Sequence, residues 1–108
     1  MKETFGKYIH NLRIDAKMTL TKLAAALDID QSTLSKIENQ KRNIPPEIIP
    51  KLAYVFKLDQ KELEKEYCSE KIADILYPQE EIKELLRLAE DKVKYMKINR
   101  TQQGKIDF

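Results

Sequence analysis

The run from Thr19 to Asn39, TLTKLAAALDIDQSTLSKIEN, decides how this chain folds. Its apolar residues fall at Leu23, Leu27, Ile29, Leu34 and Ile37, and Ala24 stands where bulk would be excluded. On a helix Leu23 and Leu27 lie one turn apart, and Leu34 and Ile37 likewise share a face. The run therefore reads as two short helices, each with one inward side. Between them lie an Asp that tolerates the left-handed region (Asp28), an apolar plug (Ile29) and an Asp placed to cap the next helix (Asp30). The second helix opens on Gln31, Ser32 and Thr33, so its outer face is polar.

Upstream, Phe5, Ile9, Leu12 and Ala16 recur at spacings of four, three and four, which is one buried stripe of a first helix from about Thr4 to Ala16. Thr4 and Thr19 are positioned as the caps of the first and second helices. Downstream, the loop NQKRNIPPE lacks apolar periodicity until Ile48. Pro45 and Pro46 suit the start of a helix, but Pro50 has no amide hydrogen for an interior bond. The fourth helix is thus expected to begin late, near Ile48, or with a distorted first turn; Ile49, Leu52, Ala53 and Phe56 would close the core. Asp59 followed by Glu62 is a capping-box variant that starts a fifth helix.

From Lys61 to Tyr77 two stripes compete. Leu63 and Tyr67 form one, while Cys68, Ile72, Ile75 and Leu76 form a shifted one, so a long bent helix and two helices meeting near Ser69 both fit. Tyr77-Pro78 ends the segment, because the residue before proline is pushed away from helical angles. A last helix is expected from about Gln79 to Ile98. In it Ile82, Leu86, Ala89, Val93 and Met96 alternate spacings of four and three, with Leu85 widening the stripe. This covers little more than two heptads, too short for an isolated coiled coil, so the helix needs a partner surface. Residues 100–108 include Gly104 and lack periodicity, as a frayed tail would.

The stretch LAAALDIDQSTLSKIEN, with Leu12-Arg13 upstream and Lys41-Arg42 downstream, resembles the helix-turn-helix DNA-binding domains of phage repressors and Cro, the xenobiotic response element family. The resemblance runs from about Phe5 to Tyr67. It implies an all-α, five-helix repressor-like DNA-binding domain over residues 1–67, followed by a helical extension over 68–99 for dimerisation and a flexible tail over 100–108. It also implies that Arg13 pairs with Glu38 across the packed helices as a structural ion pair. Three positions depart from the family pattern. Leu20 stands where a phosphate-contacting Gln is common and removes one expected contact. Asp28 replaces the usual turn Gly, and Gln40 replaces the Gly that commonly ends the recognition helix, which leaves the motif intact with strain in its turns.

Composition narrows the functional classes. At 108 residues the chain fits one compact domain plus an appendage. A single cysteine, Cys68, rules out an intrachain disulfide, and no cysteine and histidine cluster suits structural zinc. No apolar run is long enough for a membrane span, and MKETFGKYIH lacks the apolar core of a signal peptide, so a soluble, cytoplasmic protein without cofactor or metal is expected. The net charge of +2 is uninformative, but its distribution is not. From Gln31 to Lys57 five basic residues face two acidic ones, whereas from Cys68 onward there are eight of each sign. A local excess of this kind is what phosphate neutralisation requires.

In a fold of this kind the start of the third helix enters the major groove. Gln31, Ser32, Thr33 and Lys36 are then the candidate base contacts, Gln31 offering its amide to adenine or bracing a phosphate. Ser35, Asn39, Lys41 and Arg42 are the candidate phosphate contacts, fixing the register. Ile82, Leu85, Leu86, Ala89, Val93 and Met96 are the candidate dimerisation residues. The expected function is a homodimeric regulator, a repressor of double-stranded DNA operators built as inverted repeats. The family also contains restriction-modification controllers and antitoxins, the latter holding a protein partner. A protein-interaction module of the same shape is the competing class, slightly favoured by Leu20 and opposed by the basic loop. Catalysis is not expected: Glu80 and Glu84 sit one turn apart amid Lys83 and Arg87, as solvated faces do, and no nucleophile and base pair or phosphate-binding glycine loop is present.

Overall fold

The computed structural model describes the backbone of residues 3–106 and the side chains of residues 3–100. Among the described residues there are six helices and no strand: α1 (Phe5–Asp15), α2 (Leu20–Ala26), α3 (Gln31–Glu38), α4 (Ile48–Phe56), α5 (Gln60–Leu76) and α6 (Ile82–Ile106). The chain is all-α. No described helix is long and apolar enough to cross a membrane. The chain divides into two compact units, Met1–Ala73 and Asp74–Phe108, beyond the boundary expected at Tyr67.

Local chemistry sets where the helices of the first unit start. Side-chain oxygens of Thr4, Thr19 and Asp30 accept from the backbone N–H three residues on, at 3.2, 3.1 and 2.6 Å, filling donors that a helix start leaves open. Asp59 does the same for Lys61 and Glu62 at 2.9 and 3.3 Å. α4 has no side-chain cap; the carbonyls of Pro45 and Pro46 accept from the N–H groups of Ile48 and Ile49 instead, both at 3.2 Å. Starting at Ile48 places Pro50 in the first turn, where its missing N–H breaks no helical bond.

The helix ends share one geometry. Lys17, Asp28, Gln40 and Lys57 all adopt positive φ, between 54° and 57°. After α1, α2 and α3 the left-handed residue and its successor both donate back into the last turn, Lys17 to Ile14 and Met18 to Arg13, Asp28 to Ala25 and Ile29 to Ala24, Gln40 to Ile37 and Lys41 to Lys36, at 2.8–3.1 Å. After α4, Leu58 donates to Ala53 at 2.9 Å. These are Schellman-type endings, which favour glycine at the left-handed position. Here none of the four is glycine.

The core of the first unit consists of Phe5, Ile9, Leu23, Leu27, Leu34, Ile37, Ile48, Ile49 and Leu52 with Ala24, Ala53, Ile44 and Leu63. Of the stripe expected on α1, Phe5 and Ile9 are buried, Leu12 is half-buried and Ala16 is exposed as the C-cap. Gly6 is buried where α1 crosses α3: a Cβ there would overlap the carbonyl oxygen of Ile37. α5 is fastened to this core by Tyr67, whose ring meets Phe5 edge-on at 6.0 Å and whose hydroxyl donates to the Ile44 carbonyl at 2.8 Å. Glu70 accepts from the Phe5 N–H at 2.8 Å, capping α1 from another helix.

α5 is one continuous helix, so the restart near Ser69 does not occur. In the second unit α6 begins at Ile82 rather than at 79 and runs to Ile106, past the helix end expected at Ile98. Gly104 lies within it; a single glycine weakens a helix by about 1 kcal/mol without stopping it. The last two residues of the expected tail lie outside the described residues.

Candidate nucleic-acid interface

α3 is held by its inner face. Leu34, Ile37 and Glu38 are buried, and they lie at spacings that point one side of the helix at α1 and α2. Among the described residues Glu38 is the one charged residue that is buried, its side chain 4 % exposed. Arg13 meets it with two donors, Nε to Oε2 at 2.9 Å and Nη2 to Oε1 at 3.0 Å, and spends Nη1 on the Met18 carbonyl at 3.0 Å. The fork matches the planar carboxylate, which gives direction as well as attraction. His10 approaches the same carboxylate with Nδ1 at 2.7 Å from Oε1. An ionised carboxylate only accepts, so Nδ1 carries the hydrogen. This cluster locks α3 to α1.

The outer face follows by exclusion. Gln31, Ser32, Lys36 and Asn39 are exposed, Thr33 and Ser35 half-buried. Asp30 caps the helix, and the Thr33 backbone N–H, followed by the Thr33 hydroxyl, holds its carboxyl below the usual value of 3.8; Arg42 and Lys36 push the same way. Arg42 folds over the helix, with Nη1 donating to Thr33 Oγ1 at 3.4 Å. Asn39 turns its amide back to the Ser35 carbonyl at 2.8 Å, and Gln40 donates to the Glu38 carbonyl at 2.8 Å. Lys41 is exposed. The structure thus gathers Gln31, Ser32, Thr33, Lys36 and Arg42 on one exposed face, while Ser35 and Asn39 bond to each other at its far end.

Three contributors escaped the sequence reading. Thr21, on α2, donates its hydroxyl to Gln31 Oε1 at 2.6 Å. Lys51, on α4, reaches the Leu27 carbonyl at 3.4 Å and the Asp28 carboxylate at 3.8 Å, a cation at the C-terminal end of α2, where helix carbonyls are unpaired. Glu70 caps α1 from α5. None leaves a periodic signal, since each joins elements that are distant in sequence.

A braced helix pair with a polar, basic outer face is the arrangement that the helix-turn-helix pattern describes, and that pattern matches residues 9–63 of this chain. The chain belongs to the helix-turn-helix family. It is 43% identical over 60 residues to an uncharacterized HTH-type transcriptional regulator, RghRB, of Bacillus subtilis (strain 168), a match covering 55% of this chain and 43% of that protein. It is 39% identical over 57 residues to the HTH-type transcriptional repressor RghR of the same organism, covering 52% of this chain and 42% of that one. The match thus spans less than half the length of either relative. No solved structure matches the chain at comparable stringency.

The candidate dimerisation residues lie on α6, in the second unit. Ile82, Leu86, Ala89, Val93 and Met96 are exposed and Leu85 is half-buried. On other sides of the helix Arg87 bonds to Glu84 at 2.7 Å and approaches Asp91 at 3.4 Å, and Lys94 approaches Glu90 at 3.3 Å. The charges therefore pair along the helix, and the apolar stripe is left uncovered.

Proposed function

We propose that the chain is a sequence-specific, double-stranded DNA-binding transcriptional regulator, a dimeric repressor that reads an inverted-repeat operator. The observation that carries this reading is the exposed face of α3, with Gln31, Ser32, Thr33 and Lys36 outward and Leu34, Ile37 and Glu38 locked inward. The printed names of the two Bacillus relatives, a transcriptional regulator and a transcriptional repressor, support it. Gln31, Ser32, Thr33 and Lys36 approach base edges; Lys41 and Arg42, with Ser35 and Asn39 at the helix end, fix the backbone. One such face makes few base contacts, so two copies reading half-sites about 34 Å apart supply the specificity. The exposed stripe of Ile82, Leu86, Ala89, Val93 and Met96, with Leu85, joins the copies. The site of action is the cytoplasm, and catalysis has no part in this reading.

A second reading has one observation in its favour. The same uncovered stripe fits a partner protein, as in an antitoxin-like module. Selection of bound duplexes from a random pool at two salt concentrations, with solution mass measured alongside, separates the two. The repressor reading expects an inverted repeat bound by a species of twice the chain mass, and an Arg42→Ala variant that binds every sequence more weakly with a flatter salt slope. Salt-sensitive binding without any enriched sequence would overturn it.

A further inference from the structure

The apolar stripe of α6 follows a heptad pattern, with Ile82, Ala89 and Met96 at one seam position and Leu86 and Val93 at the other, all of them exposed. It stops where Arg100 takes the next place in the pattern. Lys83, Glu90 and Lys97 border one edge of this seam, and Leu85, Lys92 and Asn99 border the other. Bordering charges decide which orientation two such helices adopt. Among the described residues Lys83 and Lys92 make no ion pair, and Glu90 is approached by Lys94 alone, at 3.3 Å and from outside the seam. A carboxylate accepts at more than one place, so Glu90 has room for a second cation.

The pairings with a second copy that bring most of the stripe together are three, and the bordering charges tell them apart. Parallel and in register, the copies oppose Arg100 to Arg100 across the seam and set Lys92 beside Lys97 at both edges. Antiparallel with Leu86 facing Met96, they oppose Glu90 to Glu90 and Lys92 to Lys92, and set Lys83 beside Lys97. Shifting that antiparallel pair by one heptad puts Leu86 against Ala89 and Ile82 against Val93. Lys83 then meets Glu90 twice along one edge, and along the other Leu85 lies on the apolar stem of Lys92. Each copy brings four seam residues to either antiparallel pairing, so burial does not choose between them and charge does.

We propose that a second copy of this chain covers the stripe in the last of these pairings, α6 against α6 antiparallel, with Lys83 and Glu90 as the residues that select it. The inference rests on the dimeric reading given above and adds the orientation and register of its interface. Each copy contributes the same residues, so the contact closes at two and leaves no free edge. The overlap runs from Ile82 to Val93, about 18 Å of helix, and over so short a seam two charge pairs carry weight.

The test uses the full chain with Cys68→Ser, which removes its own exposed thiol. Ile82→Cys chains mixed with Val93→Cys chains should form a disulfide under mild oxidation, because the two positions share a layer. Val93→Cys alone should not, since its two copies stand about 16 Å apart along the seam, beyond the reach of a disulfide. Solution mass over a concentration series tests the charges, with thermal melting of each variant alongside. Lys83→Glu and Glu90→Lys should each weaken the dimer about fivefold or more, and an equimolar mixture of the two should regain its strength as a heterodimer. Self-linkage of Val93→Cys marks one of the other pairings and overturns the proposal. Tighter association of Lys83→Glu does the same, as does equal association of both charge variants and the full chain. In each of these cases the chain is still a dimer and the parent reading stands. A full chain that stays monomeric at every concentration overturns the dimeric reading and this one with it.

Discussion

Replacing Lys57 by glycine is expected to stabilise the protein, and the structure allows the size of the gain to be worked out. Lys57 follows α4 at φ 54°, is exposed, and the bond that closes the helix, from the Leu58 N–H to the Ala53 carbonyl, does not involve its side chain. A residue with a Cβ in the left-handed region costs about 1–2 kcal/mol. Glycine removes that cost but returns about 0.4–1 kcal/mol through the wider freedom of the unfolded chain. The net gain is therefore about 0.8 kcal/mol at the midpoints of the two ranges, which for a domain of this size raises the melting temperature by roughly 3–6 °C. Losing a positive charge at a helix C-terminus offsets part of this, so the decisive comparison is with Lys57→Ala, which loses the same charge and keeps the strain. Thermal and urea unfolding of both variants would check it: the glycine variant should exceed the alanine variant by the full net figure. Equal stability of the two would refute the reasoning, since the effect would then owe nothing to φ. Asp28→Gly should gain less than Lys57→Gly, because Asp tolerates the left-handed region better and the exposed pair with Lys51 at 3.8 Å is lost.

Gly6→Ala should destabilise by about 1–3 kcal/mol, the usual range for overpacking, because the new methyl meets the backbone of Ile37 and no side chain can move aside; a melting temperature matching that of the unaltered protein would contradict this close approach. Arg13→Ala strips the buried Glu38 carboxylate of both guanidinium bonds, and breaking such a pair from one side costs about 3–5 kcal/mol. Chemical denaturation measures it, and a loss within experimental error would mean that the cluster is not what holds α3. Asp30 yields a pH dependence. Its folded-state pKa lies below the ordinary 3.8, mainly through the Thr33 amide bond. Its contribution is therefore complete above the unfolded value and is lost as pH falls through the lower folded value. Asp30→Asn keeps a cap without a titrating group, so its acid unfolding curve should be flatter than that of the unaltered protein; superimposable curves would contradict the assignment.

Much of the fold was legible because it depends on residues close in sequence. The starts of α1, α2 and α3 are written in Thr4, Thr19 and Asp30, each bonded within three residues of itself. Pro50 constrained the start of α4 for the same local reason. What was illegible came in two kinds. Apolar residues on a surface imitate a buried stripe: Ile72 and Ile75 are 50 % and 70 % exposed, yet with Cys68 and Leu76 they form a second stripe in the sequence, which left one long helix and two helices equally open where the structure has one. The left-handed endings at Lys17 and Lys57 left no sign either, since the residue that normally announces them, glycine, is absent.

The interface shows why a site can be half readable. Its floor obeys periodicity: Leu34 and Ile37 must face inward, and that alone assigns Gln31, Ser32, Lys36 and Asn39 to the outside. The state in which those outer side chains are held does not obey it. Thr21 reaches Gln31 across the turn, Arg42 leans back over Thr33, and Asn39 folds onto its own helix. Each contact uses up a donor or an acceptor that the residue's name alone would leave available. Recognition chemistry therefore depends on the outer face as the tertiary structure arranges it, and not on the helical pattern alone.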